Sequence, residues 1–160
     1  MHVLDASSIL SAWDTYPPDQ FPGLWDWLEE LAQKKELVIA EVALEEVKHK
    51  SPECAARLKS SDIQVLSVTT GILTRANKIK GLIGVTDDNF HGKGVDENDL
   101  LIIATAQELG VGLLSDEGRQ TRFPDEPRKA KIPAVCALAG VSVHCMNFRE
   151  YMILSGRVFR

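Results

Sequence analysis

The chain lacks most features that settle a protein's class at once. Its 160 residues hold three cysteines, Cys54, Cys136 and Cys145, with no Cys-x-x-Cys spacing. An odd count without paired spacing argues against a disulfide framework and a zinc knuckle. Free thiols in a reducing cytoplasm are the expectation. No run approaches the ~18 apolar residues that a membrane span needs. No basic region followed by an apolar one opens the chain, so neither a signal peptide nor a membrane partner is expected. A G-x-G-x-x-G fingerprint is absent, and His91-Gly92-Lys93-Gly94 lacks the spacing of a phosphate-binding loop. Net positive charge is missing too. The formal value of −5 argues against a surface coated for non-specific nucleic-acid binding. It does not exclude a nuclease, because clustered acidic ligands lower the sum and bound cations return positive charge where phosphate docks.

Hydrophobic residues make up 44% and charged residues 26%, ordinary values for a globular protein. The length fits a single domain over residues 1–160, able to bury a core without disulfides or structural zinc. No repeat, linker or low-complexity tract argues for a second one.

Short apolar runs alternate with longer amphipathic segments. Val3-Leu4, Leu37 to Ala40, Ile63 to Val68, Val111 to Leu114 and Val141 to His144 read as strands. Helices are expected at Ser7 to Trp13, from about Leu24 to Lys35, around Val42 to Val47, at Glu53 to Ser60 after Pro52, and from Ile72 to about Leu82. Others are expected at Asp99 to Leu109, closed by Gly110, then at Ala134 to Ala139 and Phe148 to Leu154. Tyr16 to Gly23 is a loop, since Pro17-Pro18 cannot sit in a helix interior. Gly84 to Gly94 and residues 116–131 read as irregular. Strands alternating with helices predict an α/β fold, with a parallel sheet covered on both faces. Ligands in such sheets bind beyond the carboxyl ends of the strands.

Acidic residues stand at those junctions. Asp5 follows the first strand, Glu46 the second, and Asp116-Glu117 the run Val111 to Ser115, while Asp99 opens an apolar helix. Carboxylates repel, so several converging on one edge imply a cation that offsets the repulsion. Oxygen ligands without a His or Cys set favour Mg2+ or Mn2+ over zinc. Such ions suit phosphodiester hydrolysis by a metal-activated water. Each acid also has a plainer role. Asp5 could cap the helix that begins near Ser7, and Asp99 could cap its own helix, with Asp96 as a nearby competitor. Glu46 could be solvent-facing, although it borders the apolar face of Ala43 and Val47 while Glu45 falls with Glu41 and Lys48. Asp116 and Glu117 stand as alternatives. Ser7 and Ser115 could bind a ligand carboxylate or a metal water, or cap a helix. Arg119, Arg122, Arg128, Lys129 and Lys131 form either a solvated loop or a phosphate-contacting edge.

In order and spacing, Asp5-x-Ser7, a mid-chain Glu, Asp99-Leu100-Leu101-Ile102-Ile103-Ala104-Thr105-Ala106 and Leu113-Leu114-Ser115-Asp116-Glu117 resemble the PIN domain over most of the chain. Tyr16 to Trp25 and Lys131 to Cys136 are similar to an uncharacterised PIN-like subfamily of bacteria and archaea. The resemblance implies a three-layer α/β/α sandwich around a central parallel sheet. It implies Mg2+- or Mn2+-dependent cleavage of RNA, as in VapC-like toxins, with a cognate antitoxin as partner and a homodimer as a further expectation. Phe21, Trp25 and Trp27 offer a patch for that dimer, although core packing is their preferred role. Carried over by position, the resemblance makes Asp5, Glu46 and Asp99 metal-site acids, and the last acid is Asp116 or Glu117. The other readings are a catalytically inert PIN-like interaction module and a phosphatase of haloacid-dehalogenase type. The phosphatase needs a second Asp two residues after the first, where this chain has Ser7.

Overall fold

The computed structural model describes residues 1–160. Five short strands form one sheet: β1 (His2–Leu4), β2 (Leu37–Ala40), β3 (Gln64–Leu66), β4 (Gly112–Leu114) and β5 (Cys145–Met146). Their order is β3-β2-β1-β4-β5, and every pair is parallel. Val3 and Leu4, all of Leu37 to Ala40, and Leu113 and Leu114 are buried. This is why the central strands read as unbroken apolar runs rather than as alternation. The helices are α1 (Ala6–Thr15), α2 (Pro22–Gln33), α3 (Glu41–Lys50), α4 (Pro52–Ser60), α5 (Thr70–Leu82), α6 (Glu97–Leu109), α7 (Ile132–Cys136) and α8 (Phe148–Ser155). They flank the sheet to give the expected α/β/α sandwich. No helix is long and apolar enough to cross a membrane.

Four boundaries differ from the sequence reading. The last strand lies at Cys145–Met146, not at Val141 to His144. Val141 and Val143 do alternate into the core, which is the signal the sequence carries. Ser142 between them adopts a left-handed conformation (φ 52°), however, which bends the chain out of any ladder. Only Cys145 and Met146 reach register with Leu113 and Leu114. Helix α7 starts two residues early, at Ile132, with Pro133 in its first turn, and α2 starts at Pro22 for the same reason. Strand β3 keeps only three residues at the sheet edge.

Trp25 and Trp27 are both core residues, and the Trp25 indole donates to the Tyr16 carbonyl at 2.7 Å. Core packing, the preferred reading for these aromatics, is thus what both tryptophans show, with Phe21 alone exposed and packed on Tyr16. Helix α6 ends at Gly110, which is left-handed (φ 65°). The chain then turns directly into β4.

The loop before α6 is clamped to the segment that leads into α7. The Val95 amide donates to the Ala130 carbonyl at 2.9 Å. A Cβ on Gly94 would overlap the Arg128 carbonyl oxygen, a backbone atom that cannot swing away. Gly94→Ala should therefore lower unfolding stability by about 1–3 kcal/mol. Gly81→Ala, in open space near the end of α5, should raise it by about 0.5–1 kcal/mol. Urea unfolding of the two variants against the parent reads both signs. Equal effects would contradict the clamp.

Candidate active site

Strands β2 and β4 pair with β1 on opposite sides, so the chain reverses direction across the sheet at β1. The carboxyl end of β1 beside β4 is thus the topological switch point, where open α/β sheets bind ligands. Asp5 stands there. Its amide extends the ladder by donating to the Leu114 carbonyl at 2.9 Å, and its side chain turns back to cap α1.

The Asp5 carboxylate is 3% exposed. One of its oxygens, Oδ2, accepts from the Ser7 hydroxyl, from the Ser115 hydroxyl at 3.0 Å and from the Ser7 amide at 3.4 Å. The two serine oxygens lie 3.2 Å apart. They also tie down the next turn, since the Asp116 amide donates to Ser7 Oγ at 2.9 Å and the Glu117 amide to Ser115 Oγ at 3.3 Å. Burial raises the Asp5 pKa, the two serines pull it back, and repulsion from Glu117 and Glu46 adds to the rise, leaving it at about 6.

Asp99 is the third residue of α6, not its cap. Asp96 is the cap, and the two form a capping box. The Asp99 amide donates to Asp96 Oδ1 and the Asp96 amide to Asp99 Oδ2, both at 2.9 Å. Burial raises the Asp99 carboxyl to about 8, helped by repulsion from Asp96, Glu117 and Asp5.

The two open choices separate by what each side chain touches. Glu46 is half-buried and repels Asp5, whereas Glu45 is exposed. Asp116 accepts from the Phe148 amide at 2.8 Å, which anchors the first turn of α8. Glu117 accepts from the Ile132 amide at 3.0 Å, at the start of α7, and lies close enough to repel both Asp5 and Asp99. Glu46 and Glu117 thus lie near enough to Asp5 to repel it, Glu117 and Asp5 near enough to Asp99 to repel it, and Asp116 is engaged with the start of α8.

Lys50 is the residue the sequence reading missed. Its ammonium bonds Glu46 Oε1 at 2.6 Å, and Asp5 and Asp99 add to the rise in its pKa. The signal was present in the Glu46–Lys50 spacing of one helical turn, the favourable order for such a pair.

The donor set suits a hard divalent cation: four carboxylates, two hydroxyls and no competing sulfur or imidazole. As they stand, no three of these side chains are gathered tightly enough to hold an ion. Each carboxylate instead has a protein partner on one oxygen: serines for Asp5, the Asp96 amide for Asp99, the Ile132 amide for Glu117 and the Lys50 ammonium for Glu46. No buried side-chain nitrogen or oxygen lacks a hydrogen-bond partner.

Three solved structures share the fold over nearly their whole length. A chain of VapBC2 from Rickettsia felis, bound to a DNA fragment from their promoter, is 16% identical with a TM-score of 0.53, covering 91% of this chain and 97% of that one. A chain of DNA-bound VapBC from Salmonella typhimurium is 12% identical with a TM-score of 0.55, covering 92% and 97%. PAE2754 from Pyrobaculum aerophilum is 15% identical with a TM-score of 0.54, covering 98% and 97%. The fold is the PIN-like fold of VapC structures. No curated protein matches the chain. The profile of a family described as a domain of unknown function, DUF4411, matches residues 2–158.

Both site acids with a raised pKa favour the protonated form in the folded chain. Their contribution to stability is complete below about pH 4. It is lost as pH rises through about 6 for Asp5 and about 8 for Asp99. In the presence of a chelator, Asp5→Asn should therefore unfold at a higher temperature than the parent at pH 8. The difference at that pH should correspond to about 3 kcal/mol at most and should shrink to little at pH 4. Thermal unfolding at the two pH values checks this, and a variant no more stable at pH 8 would show that burying this carboxylate costs little.

Proposed function

This chain belongs to the DUF4411 family, and we propose that residues 1–160 form a single PIN-like unit that is a metal-dependent endoribonuclease. The carrying observation is the buried Asp5 at the switch point, held by Ser7 and Ser115 and repelled by Glu46 and Glu117. Mutual repulsion makes this arrangement unfavourable in isolation, and a bound cation relieves it.

Asp5, Glu46, Asp99 and Glu117 would hold Mg2+ or Mn2+. The ion would supply a lowered pKa for a bound water and charge stabilisation at the attacked phosphate and the leaving oxygen. The chain's own residues do the positioning. Ser7 and Ser115 fix one oxygen of Asp5 and leave the other without a protein partner. The Ile132 and Asp96 amides do the same for Glu117 and Asp99. No side chain is needed as a covalent nucleophile. Ser7, at the position a haloacid-dehalogenase-type phosphatase would fill with its acid–base Asp, is engaged with Asp5 and with the Asp116 amide.

The likeness to chains of VapBC complexes supports a toxin role and an antitoxin partner that masks the site. Expression of the chain alone should then arrest growth, and Asp5→Asn should abolish the arrest.

Purified protein with single-stranded RNA and Mg2+ or Mn2+ should cleave internally and stop on chelation. Changes to residues that merely orient metal ligands cost about 10–100-fold. Asp5→Asn, Asp99→Asn and Glu117→Gln should therefore each lose at least that much activity while remaining folded. Asp116→Asn should keep metal binding and cost about 1 kcal/mol of stability through its weakened hold on α8. Undiminished cleavage by Asp5→Asn would mean a contaminating nuclease. A folded parent that binds metal but cuts no RNA would favour the inert interaction module.

A further inference from the structure

The basic stretch after β4 forms part of a cavity wall. Arg119, Arg122 and Phe123 line an open space of about 470 Å³, together with Pro133 and Ala134 of α7 and with His144 just before β5. No acidic residue lines it, in a chain whose acids outnumber its Lys and Arg by 23 to 18. Gln120 braces the loop. Its side-chain amide donates to the Lys129 carbonyl at 3.0 Å, and its side-chain carbonyl accepts from the Lys131 amide at 2.9 Å. Phe123 stays exposed on this braced loop.

The cavity adjoins the acid site. Arg119 comes two positions after Glu117, at most about 7 Å of chain. The Ile132 amide, which bonds Glu117 at 3.0 Å, immediately precedes Pro133 of the cavity wall. Lys131 lies over the join, its ammonium 3.7 Å from where a Cβ on Gly118 would stand.

We propose that this cavity binds an unpaired nucleotide of single-stranded RNA, next to the phosphate that lies at the acids. The proposal rests on the ribonuclease reading above and adds where the strand runs. Phe123 supplies a ring on which a base stacks, and Pro133 and Ala134 supply apolar surface beside it. Arg119, Arg122 and Lys131 supply cations for the flanking phosphates. Arg119 is paired with Glu150 and Arg122 with Asp125, but the two arginine side chains are 55% and 80% exposed. Such pairs are weak and exchange readily for a phosphate. Every base has a face that stacks, so the cavity selects an unpaired strand rather than a particular base. A duplex keeps its bases inside and cannot fill it. An acidic protein segment would engage the arginines and leave the Phe123 ring unused, so the aromatic favours the nucleotide.

The test is a binding measurement on the whole chain, with a chelator present so that the RNA stays intact. The probe is a fluorescently labelled, unstructured RNA of about ten nucleotides. Phe123→Ala should weaken its binding about 5–150-fold without changing the salt dependence, and Phe123→Tyr should restore it. Arg122→Gln should weaken binding and lower the slope of log affinity against log salt by about 0.7. The same sequence presented as a duplex should bind the parent more weakly. No binding by the parent, a duplex bound as tightly as the single strand, or a loss that Phe123→Tyr fails to restore would overturn the proposal. Binding indifferent to Phe123→Ala would overturn it too and leave the arginines to an acidic protein segment. The nuclease reading stands or falls separately. A parent that binds RNA through Phe123 but cuts none with metal keeps the cavity and loses the nuclease, whereas RNA cleavage with binding indifferent to Phe123→Ala does the reverse.

Discussion

The site depends on one buried charge. Asp5 sits where β1 ends and the direction of the sheet reverses, and it is almost fully removed from water. A carboxylate there is costly unless it is hydrogen-bonded. The chain meets that cost only in part, with Ser7 and Ser115, while Glu46 and Glu117 repel it. The positions of the serines, the turn after β4 and the first turn of α1 all follow from satisfying this group.

The other acids are held by a shared device. Asp5 caps α1, Asp99 completes the capping box of α6, Glu117 takes the first amide of α7, and Asp116 takes the first amide of α8. Helix starts present unpaired N–H groups and a partial positive charge, both of which favour a carboxylate. Four helices begin around one end of the sheet, so their starts can hold acids that would otherwise drive each other apart. Glu46 is the exception, lying inside α3 with Lys50 as its counter-charge. Capping and metal binding are therefore not rival roles for these residues. In the proposed site one oxygen would serve the helix and leave the other for the ion.

That dual use explains what the sequence could and could not say. The parallel sheet was legible because Leu37 to Ala40 and Leu113-Leu114 are apolar without alternation, and α6 was legible because Leu100 to Ala106 is buried throughout. The acids were legible as a set because they stand at element junctions. Choosing between Asp116 and Glu117 was not possible, because adjacent acids differ only in which helix start each reaches, and that is decided by packing far away in sequence. The cap of α6 fell to Asp96 instead of Asp99 for a similar reason, since both belong to one capping box. Strand β5 was displaced because a left-handed Ser142 interrupts a pattern whose alternation is real.

The central claim is that the acids at the switch point hold a divalent ion. The most direct test is to add Mn2+ in small increments to isotopically labelled protein and follow backbone amide signals. The account predicts that Ser7, Ser115 and Glu117 broaden first, that excess Mg2+ restores them, and that Asp5→Asn weakens the effect. Broadening that begins at exposed acids such as Asp87 and Asp88, with the Ser7 and Ser115 signals unchanged, would contradict it.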